Sequence, residues 1–520
     1  MSFSYFTNNQ VIVVATSATL LIASVITFHK DKKKSALALL FLSTLCFGYF
    51  VASLDHFLIL WDEQYHALVA KNMIDHPFKP VLYPTPVLEY DYRDWTSNYI
   101  WLHKQPLFLW QIAVSMKLFG VNELAVRLPD IFLHAFGAIL IYRIGKLSCN
   151  SRVGFYGALF FSVSFYLLEL VAGKFATDHN DSSFLFYVTA SFWSWFEYQY
   201  SKKKKWLLLI GLFAGCAVLI KWLPGLLVFF AWLTAHIVTE KNDRLSPKSY
   251  FPLLLSLSIS LFIFLPWQLY LFLKYPAEAH HEWQLNSEHF YRAVENQSGN
   301  AWFHFNAIKT IYGAGFAVPV MLLIGLFLLL KNSMYSLYRV LILSAIILTY
   351  GFYTLAQTKM ISFCIIVSPF AFLGLGALTD SVINFLKKII TFKSFEFLFR
   401  SMAVIAVCML LINFSGIEKN HTNRKPTDNY NRKADEDEMR FISLLKNKLP
   451  SNQYVIFNAT ARLNGNIPVM FYTSFIAYNF IPSLEQIQTV KNKSYGIAIL
   501  DEGNLPSNIM EDTTIVKIKL

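Results

Sequence analysis

Charge is scarce in this chain: only 15% of its 520 residues are Asp, Glu, Lys or Arg, against 55% hydrophobic residues. That shortage excludes a single water-soluble core, because the apolar side chains outnumber what one globule can hide, so a bilayer must solvate much of the surface. Cysteine is also sparse. Cys46, Cys149, Cys216, Cys364 and Cys408 each lie in or beside an apolar run and share no CxxC spacing, which argues against a disulfide framework and a thiolate metal site. There is no glycine-rich phosphate loop and no internal repeat. The net charge of +12 is broken into short clusters between apolar runs. That pattern orients a membrane protein and excludes a continuous nucleic-acid surface.

Apolar runs long enough to span, at about 20 residues each, recur along the chain. Twelve are expected, near 10–28, 36–60, 128–146, 153–172, 182–200, 206–220, 222–239, 251–274, 309–330, 337–356, 360–380 and 400–415. The pair within 206–239 needs a break near Lys221-Trp222-Leu223-Pro224-Gly225, where Pro and Gly permit one. No basic region precedes the first run, and Lys30–Lys34 follow it, so it reads as an uncleaved anchor. The basic clusters at Lys30–Lys34, Arg143–Arg152, Lys202–Lys205, Lys241–Lys248, Lys331–Arg339 and Lys387–Arg400 alternate onto one side, which the positive-inside rule makes cytoplasmic. The long polar segments at about 61–127, 275–308 and 416–520 then face outward.

Within the first outer segment, Asp62–Ile74 reads as a helix, and Pro106–Phe119 as an apolar-faced helix too short to span, lying along the membrane surface. Beyond residue 415 the chain turns polar and alternates strand-like with helical runs, as a small α/β domain does. The expected organisation is a polytopic transmembrane domain over 1–415 and a soluble α/β domain over 416–520.

Acidic residues stand at the water–lipid boundary in two places. Trp61-Asp62-Glu63-Gln64-Tyr65-His66 follows an apolar run directly, and Asp178-His179-Asn180-Asp181 precedes the next one. Capping of helix N-termini is the plain explanation for both. Convergence on one site, to polarise a hydroxyl or to share a metal between Asp62 and Asp178, is the functional one. A divalent ion stays open, since the spacing of these acids with His66 and His179 matches no ligand motif. Lys104, Arg292 and Lys359 lie on the outer side, where cations are disfavoured. A lipid-borne phosphate would explain them, as would snorkelling or local pairing.

In order along the chain, Asp62-Glu63-x-Tyr65, His103-Lys104-Gln105-Pro106-Leu107, Phe119-Gly120 with Glu123 and Arg127-Leu128-Pro129, Asp178, Lys221-Trp222, and Lys359 with Pro369 resemble the GT-C glycosyltransferases of family 39. That family includes protein O-mannosyltransferases and the lipid A aminoarabinose transferase. The resemblance covers roughly residues 61–380. Gln105 stands where the family has proline, and Trp222 where it has glycine. The resemblance implies a GT-C fold of about 12 transmembrane helices with outer-face interfacial helices. It also implies inverting transfer of a sugar from a polyprenyl-phosphate donor to a lipid, glycan or protein acceptor on the extracytoplasmic face of the inner membrane. Asp62, Glu63 and Asp178 would then be catalytic, and Tyr65, Lys104, Arg127, Arg292 and Lys359 would bind substrate. A transporter or flippase of lipid-linked sugars is the rival reading. It calls for internal repeats and mid-membrane polar residues, whereas this chain concentrates its polar residues in outer loops.

Overall fold

The computed structural model describes residues 5–174, 179–240, 242–313, 317–388, 393–422, 430–450, 453–459 and 465–519. Among them, seven helices are long and apolar enough to cross a membrane: Asn8–His29, Lys33–Ala52, Glu123–Ser148, Pro247–Lys274, Ser336–Leu355, Ile361–Leu386 and Phe397–His421. Two bent helix pairs bring the number up to nine, one of them Ser151–Ser162 with Phe165–Val171, which meet at 54°. Each of the twelve expected runs contains a helix, but a count of twelve spans is not reached. Asp181–Ser201 carries Asp181 and Glu197, and Lys205–Lys221 is only 17 residues long. Leu223–Thr239 is likewise a shorter apolar helix.

Small residues let these helices approach closely. A Cβ on Gly145 would meet the Gly154 Cα at 2.5 Å, and one on Gly325 would meet the Gly374 carbonyl at 2.6 Å. Such seams replace the hydrophobic drive that lipid removes from helix association. Between the Lys33–Ala52 and Glu123–Ser148 helices, the first outer segment folds as Asp62–Asn72 and Pro106–Phe119 joined by a loop. The second helix begins at proline, whose missing N–H costs nothing there. Its C-terminal part exposes Val114, Leu118 and Phe119, as an interfacial helix would. The second outer segment forms the helix Pro276–Tyr291.

The C-terminal region contains four short strands, β1 (Tyr454–Phe457), β2 (Ile476–Ala477), β3 (Gly496–Leu500) and β4 (Ile515–Ile518), all parallel in the order β2-β1-β3-β4. The strand-like and helical runs expected here alternate as these four strands and helices, with Asn466–Tyr472 and Leu484–Asn492 as crossovers. Parallel strands need such crossovers, and helices on the sheet faces explain the almost fully buried β1 and β3.

This α/β region is fastened onto the first outer segment. Lys71, at the end of the Asp62–Asn72 helix, donates to the carbonyls of Met470, Phe471 and Thr473 at 2.7, 2.8 and 2.7 Å. The Tyr472 hydroxyl donates to Glu123 at 2.5 Å and accepts from the Leu58 amide at 3.0 Å. Lys493 reaches the Val87 carbonyl, and Tyr83 stacks on Tyr478.

Candidate active site

Asp62 opens its helix behind an unusual residue. Trp61, with φ at 78°, turns the chain sharply so that its carbonyl accepts from the Gln64 and Tyr65 amides and the helix starts at the acid. A non-glycine residue with positive φ is a backbone cost that persists where its surroundings over-determine it. The consequence is that Asp62 and Glu63 face different places.

Asp62 lines a cavity of about 760 Å³, together with Trp61, Trp95, Lys104, Lys221 and Trp222. The lining is also richly apolar, with Val218, Leu223, Phe264, Phe352 and Phe363. Amides contribute as well. Gln268 donates to Gln105 at 2.7 Å, and Asn180 and Gln297 also line the space. His103 stacks on Trp95 with ring centres 4.3 Å apart, its Nδ1 being 3.5 Å from Glu282.

Glu63 and Arg127 are 1% and 0% exposed and lie beneath this cavity as a bidentate pair, with contacts of 2.7 and 3.0 Å. The remaining guanidinium protons go to the carbonyls of Ala52, Asp55 and Phe57, so all five donors are engaged. The second Glu63 oxygen also accepts from the Ile59 amide at 2.6 Å. Gly173, at φ 71°, packs its backbone against the same carboxylate, where a Cβ would come within 2.6 Å of it. The pair thus ties residues 52–59, the start of the Asp62 helix and the Glu123–Ser148 helix into one buried knot.

Asp130, one turn beyond Arg127, accepts from Ser183 at 2.7 Å and lies 3.9 Å from His179. The His179 ring stacks at 5.7 Å on His66, and burial pushes its pKa down to about 4, so it is neutral at pH 7. Lys221, the last residue of its helix, pairs with Asp181, the first of its own, at 2.6 Å. Of the two, Lys221 lines the cavity, with its ammonium 5.0 Å from the centre of the Phe363 ring.

The residues expected at a site from sequence therefore divide. Asp62 and Lys104 share the cavity. Glu63 and Arg127 lie sealed below it. Tyr65 is buried among Trp61, Trp95 and Trp101, donates to the Thr96 carbonyl, and has its phenol pKa pushed up by burial. Arg292 is largely exposed and paired with Glu288. Lys359 is 3% exposed and donates to the carbonyls of Tyr353, Thr354 and Ala356, closing the end of the Ser336–Leu355 helix. Neither Arg292 nor Lys359 lines the cavity. Asp178 falls outside the described residues.

Lys221 and Asp130 are not among the site residues expected from sequence, and Asp181 stands there open between a helix cap and part of an acidic cluster. An acid inside an apolar span was the available signal for Asp130. Among the described residues, no group of three or more His, Cys, Asp or Glu side chains is arranged to hold a metal ion. Asp62 therefore has no metal cluster around it within those residues.

The sequence model of the dolichyl-phosphate-mannose-protein mannosyltransferase family matches residues 103–270. The crystal structure of ArnT from Cupriavidus metallidurans bound to undecaprenyl phosphate superposes with a TM-score of 0.63 at 14% identity, covering 89% of this chain and 88% of that one. The chain has the GT-C fold. A second GT-C structure, the archaeal oligosaccharyltransferase AglB from Archaeoglobus fulgidus in complex with an inhibitory peptide and a dolichol-phosphate, gives a TM-score of 0.52 at 12% identity. It covers 86% of this chain, which spans 64% of AglB. An uncharacterized protein of Aquifex aeolicus (strain VF5) is 31% identical over 176 residues, a match that spans about a third of each protein. The family 39-type resemblance read from the motifs is thus matched over 103–270, and the multi-pass helical GT-C fold over most of the chain.

Proposed function

We propose that this protein is a membrane glycosyltransferase that moves a sugar from a polyprenyl-phosphate carrier to an acceptor on the extracytoplasmic face of the inner membrane. The observation that carries the reading is one cavity whose lining combines a carboxylate and two lysines with many apolar side chains. A phosphate-headed lipid combines the same two kinds of surface. The relatives support it in kind: ArnT is described bound to undecaprenyl phosphate, and AglB with a dolichol-phosphate and a peptide.

In this reading the acceptor oxygen attacks the anomeric carbon as the bond from that carbon to the phosphate oxygen breaks, with inversion. Asp62 takes the acceptor proton, and polyprenyl phosphate leaves with its negative charge held by Lys104 and Lys221. An acceptor that is already an anion has no proton to give, and Asp62 then orients it. Glu63, with Arg127, positions Asp62 rather than touching substrate, and Lys359 shapes the cavity rim by closing a helix end. Asp178 enters on sequence grounds alone, as the second acid of the family pattern. The C-terminal α/β region would lie on the same outer face, steadying the Asp62 helix through Lys71.

The test is purified protein in lipid, supplied with a polyprenyl-phosphate sugar. Wild type is expected to release polyprenyl phosphate, and Asp62→Asn to lose that activity while remaining folded. Undiminished release by the variant would remove Asp62 from the mechanism. Equal turnover of a nucleotide sugar would remove the carrier-linked donor, and flipping without transfer would favour the transport alternative.

A further inference from the structure

His103 lines the cavity with a carboxylate on each side of its ring. Nδ1 lies 3.5 Å from Glu282, and Nε2 lies 3.9 Å from Glu295. The two acids differ in their surroundings. Glu282 is buried, its side chain 5% exposed, and among the described residues no hydrogen bond reaches either of its oxygens. His103 is the one basic group paired with it there. A carboxylate taken out of water at that cost needs a reason. Holding the Pro276–Tyr291 helix in place does not supply one, because His281 already ties that helix to the first outer segment, its Nε2 lying 3.1 Å from the Arg93 carbonyl. What Glu282 does is fix the imidazole. It occupies the Nδ1 edge while Trp95 covers a face, the two ring planes lying 5° apart.

The Nε2 edge is left facing Glu295, which also lines the cavity and has a side chain 38% exposed. Glu295 and Asn296 hold positive φ in succession, 54° and 59°, a costly backbone for residues other than glycine. The turn is closed by the Gln297 amide, which donates to the Val294 carbonyl at 3.0 Å. A separation of 3.9 Å is too wide for a direct hydrogen bond, yet a ligand oxygen can lie within reach of both groups. Chemistry narrows what that ligand is. The carboxylate needs a donor and repels phosphate, whereas a hydroxyl can donate to it and can pair with either tautomer of the imidazole. Trp61, Trp95 and Trp283 line the same cavity. Aromatic surface beside a few fixed polar groups suits a sugar, which has hydroxyls at its rim and C–H groups on its faces.

We infer that His103 and Glu295 bind hydroxyls of the carrier-linked sugar and so set which sugar is accepted, with Glu282 as a positioning residue behind His103. This assignment rests on the glycosyltransferase reading above, in which Lys104 and Lys221 hold the phosphate. It adds the side chains that read the sugar itself.

The experiment measures the affinity of the full-length protein in nanodiscs for bare polyprenyl phosphate and for polyprenyl phosphate carrying mannose, glucose, galactose or N-acetylglucosamine. Wild type should bind at least one sugar-bearing probe more tightly than the bare carrier. Glu295→Asn withdraws the carboxylate and suits the left-handed backbone, and His103→Phe keeps a ring against Trp95. Each should weaken the preferred sugar probe about tenfold, the scale of one strong hydrogen bond, and leave the bare carrier within about twofold. Glu282→Gln should weaken the same probe by less and also spare the bare carrier, a selectivity that a purely structural role would not produce. A monodeoxy series of that probe gives a second readout: one analogue should bind wild type about tenfold more weakly and lose nothing further in Glu295→Asn. Should His103→Phe or Glu282→Gln melt well below wild type, Glu295→Asn and the deoxy series decide. Sugar-probe affinity within about twofold of wild type in Glu295→Asn overturns the inference, as does equal weakening of sugar probe and bare carrier. A wild-type protein that binds the bare carrier as tightly as every sugar probe overturns the sugar site alone. One that binds neither kind overturns the glycosyltransferase reading as well.

Discussion

Two cation–carboxylate pairs lie close together in this fold and do different work. Glu63–Arg127 is sealed: every guanidinium donor is engaged, and the charges see no solvent. In Asp181–Lys221 the acid is buried, whereas the lysine lines the cavity and is partly accessible. A buried, fully matched pair fixes backbone geometry, because losing either partner strands the other charge. A pair at a cavity wall can share its cation with an incoming anion. The first is therefore a test of folding, and the second a test of binding.

The largest effect expected is on the sealed pair. Arg127→Ala should destabilise the protein by about 3–5 kcal/mol, seen as a loss of folded material in detergent melting curves. Arg127→Lys should fare little better, since an ammonium cannot reproduce the planar fork that grips Glu63 and three carbonyls. Near-normal stability of either variant would erase the distinction between the pairs.

Next in size is Asp62→Asn, with turnover down by about 10²–10⁴ and an unchanged melting temperature. If it melts like Arg127→Ala instead, Asp62 belongs with the structural pair. Lys221→Met should come third, weakening carrier-phosphate binding by about tenfold, or 1.4 kcal/mol, the scale of one charge-assisted contact. Its effect on melting should be well below that of Arg127→Ala, and calorimetry of both variants checks the order.

A pH-dependent effect concerns the fastening of the α/β region. Burial, and then the nearby Lys446, push the Lys71 pKa down to about 8 from its ordinary 10.5. Between those values the unfolded chain binds a proton that the native state does not, so stability rises with pH across that window and is flat, on this account, below it. Lys71→Met should abolish the rise, which pH-dependent melting of the two proteins would reveal.

The gross plan was legible in the sequence because it rests on local signals. Apolar runs, a proline at a helix start, and strand-like stretches after residue 415 each depend on neighbours a few residues apart. The expected twelve spans are not all matched by helices long and apolar enough among the described residues: Asp181–Ser201 carries two acids, and Lys205–Lys221 has only 17 residues. Asp62 and Lys104, singled out in the sequence because charge beside an apolar run is conspicuous, line one cavity in the fold.

What the sequence could not tell apart was Asp62 from Glu63. Two adjacent acids after an apolar run look equivalent, and only a partner 64 residues away makes one of them structural. Lys359, expected from sequence to bind substrate phosphate, donates in the fold to three carbonyls, contacts that the sequence does not reveal. By itself, then, the sequence determined a multi-pass helical protein with an α/β tail and a family 39-type resemblance, since hydropathy and motif order are properties of the chain. The tertiary structure decided which charges line the cavity and which are sealed beneath it, because that depends on contacts between helices far apart in sequence, and no local pattern encodes them.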